Sequence, residues 1–340
     1  MAVCARDQSF GISAEISFSG VALQHRKKHM KKIAVVINPT SGGGRTLKEW
    51  PRIEAELIAT GHAVTWHIST SEADFRAKTR AFARRFSALG ICGGDSSLTI
   101  AAEELAAAKF RGELRFLAAG SVNDIVLDIA AAQREIKKPL CLGELATDNF
   151  SKRFIGQTNW GLGVVVNRWV GKVLTTLPAL RRYQQTIGTL SIILAHLLRR
   201  EKVMATLQIG NRLLSGHFSI VLVTQLKHWA SGLRFAPEAS FYAPEFQVVA
   251  VRRTGLVKLI RIILAAKTGE HVKFREVEVS QAREVHLHFA KAAAVQIDGD
   301  ILRFNGREVT GQNFRLSKLR TQIKLTADHE SVQPFALNKA

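Results

Sequence analysis

No run of about 18 consecutive apolar residues occurs in the chain, so no segment reads as a membrane-spanning helix. Cysteine is scarce: Cys4, Cys92 and Cys141 stand far apart, with no CxxC pair. Thiols so placed argue against a disulfide framework or structural zinc and for a reducing compartment. The 11 histidines form no HExxH or similar ligand spacing, which speaks against a histidine-held metal. Only 7 prolines and 7% aromatics are present, too few for low-complexity or fibrous classes. Acid is the other shortage. Asp and Glu number 28 against 48 Lys and Arg, a net charge of +20. A chain this basic meets polyanions: nucleic acid, an anionic membrane surface or phosphorylated small molecules. No aromatic-basic binding motif stands out, so nucleic acid is not expected as a partner. The first thirty residues lack the charged, apolar, small-residue order of a signal peptide. Met30 directly precedes Lys31-Lys32 and the first clear strand, so residues 1–30 read as a mis-called start or a disordered extension.

What is present suffices for two domains: 340 residues, 46% of them apolar. Four short apolar runs, Ile33–Ile37, Ala63–Ile68, Ala88–Cys92 and Leu114–Ala118, alternate with helical patterns. Leu47, Trp50, Ile53, Leu57 and Ile58 recur at helical spacing, with Pro51 tolerated near that helix start. Ser71 and Asp74 form a capping box before Phe75, Thr79, Phe82 and Phe86, and Leu98–Ala107 reads as helix. Strand–helix alternation predicts an α/β parallel sheet over 31–137. From 138 to 308 the pattern turns β-rich. Arg153–Trp160, Val203–Ile209, Leu213–Val223, Phe246–Val251, Val277–Val279 and Val285–Phe289 read as strands, with Gly210-Asn211 as a hairpin turn. Two helical stretches interrupt them, Leu180–Arg199 and Gly255–Lys267.

In a parallel sheet ligands bind beyond the carboxyl ends of the strands. Three glycine-bearing loops fall at that edge: Asn38-Pro39-Thr40-Ser41-Gly42-Gly43-Gly44, Gly93-Gly94-Asp95-Ser96-Ser97 and Gly120-Ser121-Val122-Asn123-Asp124. Glycines let backbone N–H groups approach phosphate, a following helix N-terminus favours its charge, and Arg45 adds a cation. Taken singly, each loop could equally be a turn or a helix cap. No GxxxxGK(S/T) occurs, and the dinucleotide fingerprint fails because Leu47 stands where it requires Gly or Ala.

The ordered set resembles the diacylglycerol kinase catalytic-domain family, which includes bacterial lipid kinases, sphingosine kinases and ceramide kinases. Its marks are Asn-Pro-x-Ser-Gly, Gly-Gly-Asp-Gly-Thr, Gly-Thr-x-Asn-Asp and a late Asp-Gly-Glu. Here the last stands as Asp298-Gly299-Asp300, and Gly232–Ala239 resembles the family's Ala-Pro-x-Ala stretch. The resemblance covers roughly residues 31–325. It implies a Rossmann-like nucleotide domain over 31–137, rejoined by 309–325, a sandwich-like lipid domain over 138–308, and a flexible tail over 326–340. It implies ATP and Mg²⁺ as cofactors. Asn38, Pro39, Thr40, Ser41, Gly42, Gly43, Arg45, Thr70, Gly93, Gly94, Asp95, Ser96, Ser97, Ser121, Asn123 and Asp124 become candidate nucleotide contacts. Asp95 and Asp124 become metal candidates, and Asp300 with Asp95 the catalytic pair, Asp300 as general base.

Several positions depart from the family pattern. Ser96 stands for glycine, where a Cβ could obstruct phosphate or a positive φ. Ser97 stands for threonine and Asp300 for glutamate. The family's acidic pair after Ala-Pro-x-Ala, which helps hold magnesium, is replaced by Tyr242-Ala243, with Glu238 and Glu245 out of register. The function implied is ATP-dependent phosphorylation of a lipid alcohol: diacylglycerol, ceramide or a sphingoid base. A weak or inactive relative acting as a regulator is the alternative, and an NAD kinase a distant third. Expected partners are the lipid and an anionic membrane surface, with a homodimer left open, and the expected location is cytoplasmic and peripherally membrane-bound. Leu256, Leu259, Ile260, Ile263 and Leu264 form an apolar helix face beside Arg252, Arg253, Lys258, Arg261 and Lys267, suited to that surface or to the protein's own sheet. The apolar run Ile187–Leu198 reads as a tail pocket or as core.

Overall fold

The structure is a computed structural model that describes residues 30–118, 124–131, 138–198, 202–230, 232–304 and 306–327. The first segment alternates strand and helix: β1 (Lys31–Ile37), α1 (Arg45–Ala59), β2 (His62–Ile68), α2 (Glu72–Ala83), β3 (Ala88–Gly93), α3 (Asp95–Ala107), β4 (Glu113–Ala118) and α4 (Asp124–Ala131). Ile33 to Ile37 are all fully buried, as a central parallel strand covered on both faces requires. Ile33, Val35 and Ile37 share a core with Trp50, Ile53 and Leu57 of α1. Ala34 and Val36 share another with Phe75 and Phe82 of α2 and Leu98 and Leu105 of α3. Ser71 caps α2 as its motif predicts, its hydroxyl accepting from the Asp74 N–H at 3.1 Å. Pro51 lies deeper than the spacing suggested. Helix α1 already begins at Arg45, so proline sits in its interior and withholds one N–H from the ladder.

The second segment contributes β5 (Cys141–Thr147), β6 (Phe150–Phe154), β7 (Gln157–Gly161), α5 (Leu162–Thr176), α6 (Gln184–Leu197), β8 (Val203–Ile209), β9 (Arg212–Thr224), β10 (Phe246–Arg252), α7 (Leu256–Ala265), β11 (Val277–Ala282), β12 (Glu284–Ala294), β13 (Gln296–Ile297), β14 (Asp300–Ile301), β15 (Arg303–Phe304), β16 (Arg307–Glu308), β17 (Thr310–Arg320) and β18 (Lys324–Ala327). Eleven strands form one antiparallel sheet, in the order β14-β13-β7-β9-β8-β12-β17-β5-β6, with β10 and β11 attached through β9. The first half of β9 pairs with β8 and the second half with β7 and β10. The sheet thereby curls around Phe154, Trp160, Phe218, Phe246, Phe289 and Phe314. Its other face carries α5, α6 and α7 over Ile220, Leu222, Val249 and Val251.

Four sequence expectations are revised. Arg153–Trp160 is two strands, broken at Ile155-Gly156. Helix α5 was not read, because four valines and two glycines in Leu162–Gly171 depress helix propensity and packing overrides it. Of the segment 309–325, β17 stays in the second sheet, and only β18, running to Ala327, returns to pair in parallel with β4. The first sheet then reads β18-β4-β3-β1-β2. On α7 the buried stripe is Leu259 and Ile262, continued by Ala266, while Val257 and Leu264 are exposed. Of the five cations beside it, Lys258 pairs with Glu276, and Arg252, at the end of β10, with Glu278, both at 3.2 Å. The helix covers its own sheet.

Candidate active site

Register assembles the candidate edge. Ile37 stands beside Ile68 and Cys92, and Gly93 beside Ala118, so the segments after β1, β2, β3 and β4 leave one end of the sheet. Residues 119–123, including Ser121 and Asn123 of the third loop, lie outside the described residues. Asp124 opens α4, and only its backbone is described.

Asn38 organises the first loop. Its Oδ1 accepts from the Thr40 N–H at 3.1 Å and the Thr40 hydroxyl at 2.9 Å, turning the chain around Pro39. Its Nδ2 donates to Ser97 Oγ at 2.9 Å, tying the first loop to the second. Gly42, Gly43 and Gly44 have φ of 62°, 70° and 88°, a run that side-chain-bearing residues rarely adopt. It delivers the chain into α1 with no side chain capping the first amides, and Arg45 heads the helix, exposed. Thr46 donates its hydroxyl to the Ser41 carbonyl at 3.1 Å, fastening the loop from below.

The second loop repeats the device. Gly94 precedes α3 with no side-chain cap, so a second helix N-terminus opens on the same edge. At Gly93 an added Cβ would stand 2.7 Å from Ser97 Oγ, so the strand-to-helix turn closes only with glycine. Asp95 and Ser96 occupy the first turn of α3, and Ser97 is buried beneath them. Ser96 has no positive φ, so the strain anticipated from its Cβ is absent.

The late motif reaches this edge from the other sheet. Asp298 (φ 45°) and Gly299 (φ 92°) are the two loop residues of the β13–β14 hairpin, a left-handed pair as tight hairpins require. The half-buried Asp298 carboxylate accepts from the N–H groups of Ile155, Gly156 and Gln157 at 3.0, 2.8 and 2.7 Å. It also accepts the Thr99 hydroxyl of α3 at 2.5 Å. Burial pushes this carboxyl above its ordinary value against the pull of those four donors. A Cβ on Gly156 would meet Asp298 Oδ1 at 2.6 Å, so the amide cradle depends on glycine there. Two residues on from Asp298, exposed Asp300 accepts the Ser96 hydroxyl at 2.6 Å through Oδ2. The carbonyl of Gly299 between them is held by the Asn167 amide and, at 2.8 Å, by Gln296 Nε2.

The structure thus brings together Asn38, Thr40, Ser41, the Gly42–Gly44 run, Arg45, Gly93–Ser97 and Asp300. Thr70 lies at the same edge, but its N–H and hydroxyl point to Asp74 Oδ2, at 2.9 and 3.4 Å. Where the acidic pair would stand, Tyr242 is buried, packs at a tilt against Phe241 and donates its hydroxyl to the Leu325 carbonyl, and Ala243 is half-buried. Glu238 is engaged by Gln281, and the Glu245 carbonyl takes a bond from Lys318. Among the described residues no group of three or more His, Cys, Asp or Glu gathers as a metal cage. Sequence reasoning missed the anchoring roles of Asp298 and Thr99. The Asp-Gly pair signalled a turn, but nothing local signals an aspartate turned inward onto distant amides.

Two family models match the chain: the diacylglycerol kinase catalytic domain over residues 32–152, and the YegS C-terminal NAD kinase beta sandwich-like domain over 160–317. A diacylglycerol kinase of Bacillus subtilis (strain 168) is 22% identical over 278 residues, covering 80% of this chain and 90% of its own length. A diacylglycerol kinase of Staphylococcus carnosus (strain TM300) is 20% identical over 287 residues, covering 79% and 89%. Among solved structures, a diacylglycerol kinase from Bacillus anthracis str. Sterne superposes with a TM-score of 0.63 at 13% identity, over 90% of this chain and all of that one. A putative diacylglycerol kinase from the same organism gives 0.66 at 15% identity, over 89% and 99%. With both halves matched in order, and with the motifs of the first half meeting the hairpin of the second, the chain belongs to the diacylglycerol kinase catalytic-domain family of lipid kinases.

Proposed function

We propose that this chain is an ATP-dependent kinase of a membrane lipid alcohol, with diacylglycerol the first acceptor to test and ceramide or a sphingoid base next. The observation that carries the reading is the placement of Asp300. A carboxylate from the second sheet stands at the N-terminus of α3, on the edge where two uncapped helix N-termini and a left-handed glycine run open. The amides of Gly42–Gly44 and of the first turn of α3, with Arg45, suit a polyphosphate. ATP, when bound, supplies the transferable phosphoryl group, and Mg²⁺ the charge neutralisation that phosphoryl transfer requires. Mg²⁺ is commonly held by one or two carboxylates plus substrate phosphates, a demand Asp95 meets without a protein cage. In this reading Asp300 takes the proton from the acceptor hydroxyl, while Asn38, Thr40 and Ser97 hold the two phosphate loops in register.

A bilayer supplies the acceptor, and α6 supports a place for it. Leu190, Leu194, Leu197 and the adjoining Leu198 are 48–65% exposed and recur at one-turn spacing. The stretch 162–200 holds six cations, Arg168, Lys172, Arg181, Arg182, Arg199 and Arg200, and no Asp or Glu. Arg168 is paired with Glu308, and an apolar stripe in a stretch so rich in cations and free of carboxylates complements an anionic bilayer surface. The deciding assay is transfer of label from γ-labelled ATP with Mg²⁺ to lipid alcohols in anionic mixed micelles, with NAD alongside. Labelled diacylglycerol with wild-type enzyme and none with folded Asp300→Asn is expected. Label on NAD alone, or on no acceptor, would overturn the reading.

A further inference from the structure

Helix α3 touches the Asp298-Gly299-Asp300 turn twice. Ser96 and Thr99 are three residues apart on one helical face, and each donates a hydroxyl to one of the two aspartates. Thr99 anchors Asp298, the inward-turned one. Ser96 reaches the exposed one, 204 residues away in sequence. Both members of that second contact are departures from the family motif, serine for glycine and aspartate for glutamate.

We propose that Ser96 and Asp300 are a matched pair, in which the serine hydroxyl positions the shortened carboxylate for proton removal from the acceptor. This rests on the reading of Asp300 as general base. The backbone of Asp300 is already fixed, by its ladder pairing with Ile297, by the left-handed turn and by the Asp298 anchor. What remains free is the side-chain torsions. A bond to Oδ2 sets them and leaves Oδ1 to face the acceptor hydroxyl. An aspartate is one methylene shorter than the glutamate it replaces, so its carboxylate sits nearer the turn. The serine arm extends from α3 to meet it there. In the same stroke the helix whose N-terminus faces the phosphates is linked to the carboxylate that activates the acceptor. Ser96 therefore acts on catalysis through Asp300, as a positioning residue.

The test is a cycle of Ser96→Ala, Ser96→Thr, Ser96→Gly, Asp300→Glu and Ser96→Gly/Asp300→Glu, assayed for kcat and for KM of ATP and lipid, with melting temperature as the folding control. Ser96→Ala is expected to lose roughly tenfold in kcat while KM for ATP stays within about twofold, a misplacement effect. Ser96→Thr, which keeps the hydroxyl, should retain about half of wild-type kcat. The double variant should exceed the product of the two single losses by about tenfold, the signature of direct coupling. Unchanged kcat in Ser96→Ala, a rise confined to KM for ATP, or an additive cycle would each overturn the pairing while leaving the lipid-kinase reading intact. A fully active Asp300→Asn enzyme would instead bring down the general-base assignment, and the pairing with it.

Discussion

At the scale of single residues, the functional edge depends on groups that do no chemistry. Asp298 is the clearest. Its carboxylate fills a concavity of three successive amides, and its backbone occupies the left-handed region that aspartate and asparagine tolerate better than other side-chain-bearing residues. Asp298→Asn keeps the size and the backbone preference but turns an amide NH₂ toward N–H donors. A buried donor facing donors costs about 1 to 3 kcal/mol, and the loss should appear in urea denaturation along with reduced turnover. Unaltered stability would show that the cradle is not what holds the turn. Lys318 is a second such group. Buried on β17, it donates Nζ to the carbonyls of Ser240 and Glu245, both at 2.9 Å. Burial pushes its pKa down to about 8 from 10.5. Between those values the folded chain binds fewer protons than the unfolded one, so stability rises with pH there. Below about 8 the full cost of the buried charge stands. Wild type should therefore gain about 2 to 3 kcal/mol relative to Lys318→Met between pH 8 and pH 10.5 in denaturant titrations. A constant difference across that range would remove the assignment.

At the scale of elements, legibility followed the locality of the cause. Strands β1 to β4 and helices α1 to α3 announced themselves through apolar spacing and through Ser71, whose cap is formed within four residues. The first two glycine loops were legible for the same reason: their conformation is local, and their order along the chain carries the rest. Helix α5 was not legible, because Val164, Val165 and the glycines at 163 and 171 argue against a helix that packing against β7 and α6 imposes. The outward face of α6 was equally hidden. Periodicity shows an apolar helix but not which side its neighbours leave uncovered, so tail pocket and core looked alike and the exposed stripe was not foreseen. With the stripe known, Leu190→Ser/Leu194→Ser/Leu197→Ser is expected to weaken sedimentation with phosphatidylglycerol vesicles by about tenfold, since each leucine contributes apolar area to the interface. Phosphoryl transfer from ATP to a short-chain, water-soluble acceptor should change little. Binding to neutral phosphatidylcholine vesicles should be weak in both proteins, and added salt should lower wild-type binding. Equal vesicle binding by the triple variant, or a wild-type dimer that dissociates on substitution, would assign the stripe elsewhere.

At the scale of the whole molecule, the two sheets are less separable than the change in sequence character suggests. The core beneath α2, α3 and α4 is completed by Leu140, Leu142, Ile155, Leu226, Phe241, Tyr242, Ile323 and Leu325, all contributed from beyond residue 137. β18 covers the edge of β4 that the first segment alone would leave open. Charged and polar contacts cross the same boundary. Lys152 of β6 pairs with Glu103 of α3 at 3.0 Å, and Asp128 of α4 takes the Lys227 N–H and the His228 ring. Burial alone would push the Glu103 carboxyl up, but Arg76 and Lys152 outweigh it and hold it below its ordinary value. The glycine-loop edge and the Asp300 turn are therefore parts of one packed body, and their spacing is set by shared core rather than by a linker. A fragment of residues 30–137 should lack a cooperative unfolding transition and bind a hydrophobic dye, whereas the full chain should unfold in a single transition by far-ultraviolet circular dichroism and by tryptophan fluorescence. Should the fragment melt cooperatively with native-like helicity, the first sheet is autonomous, and the alignment of Ser96 with Asp300 would then depend on how two independent bodies meet.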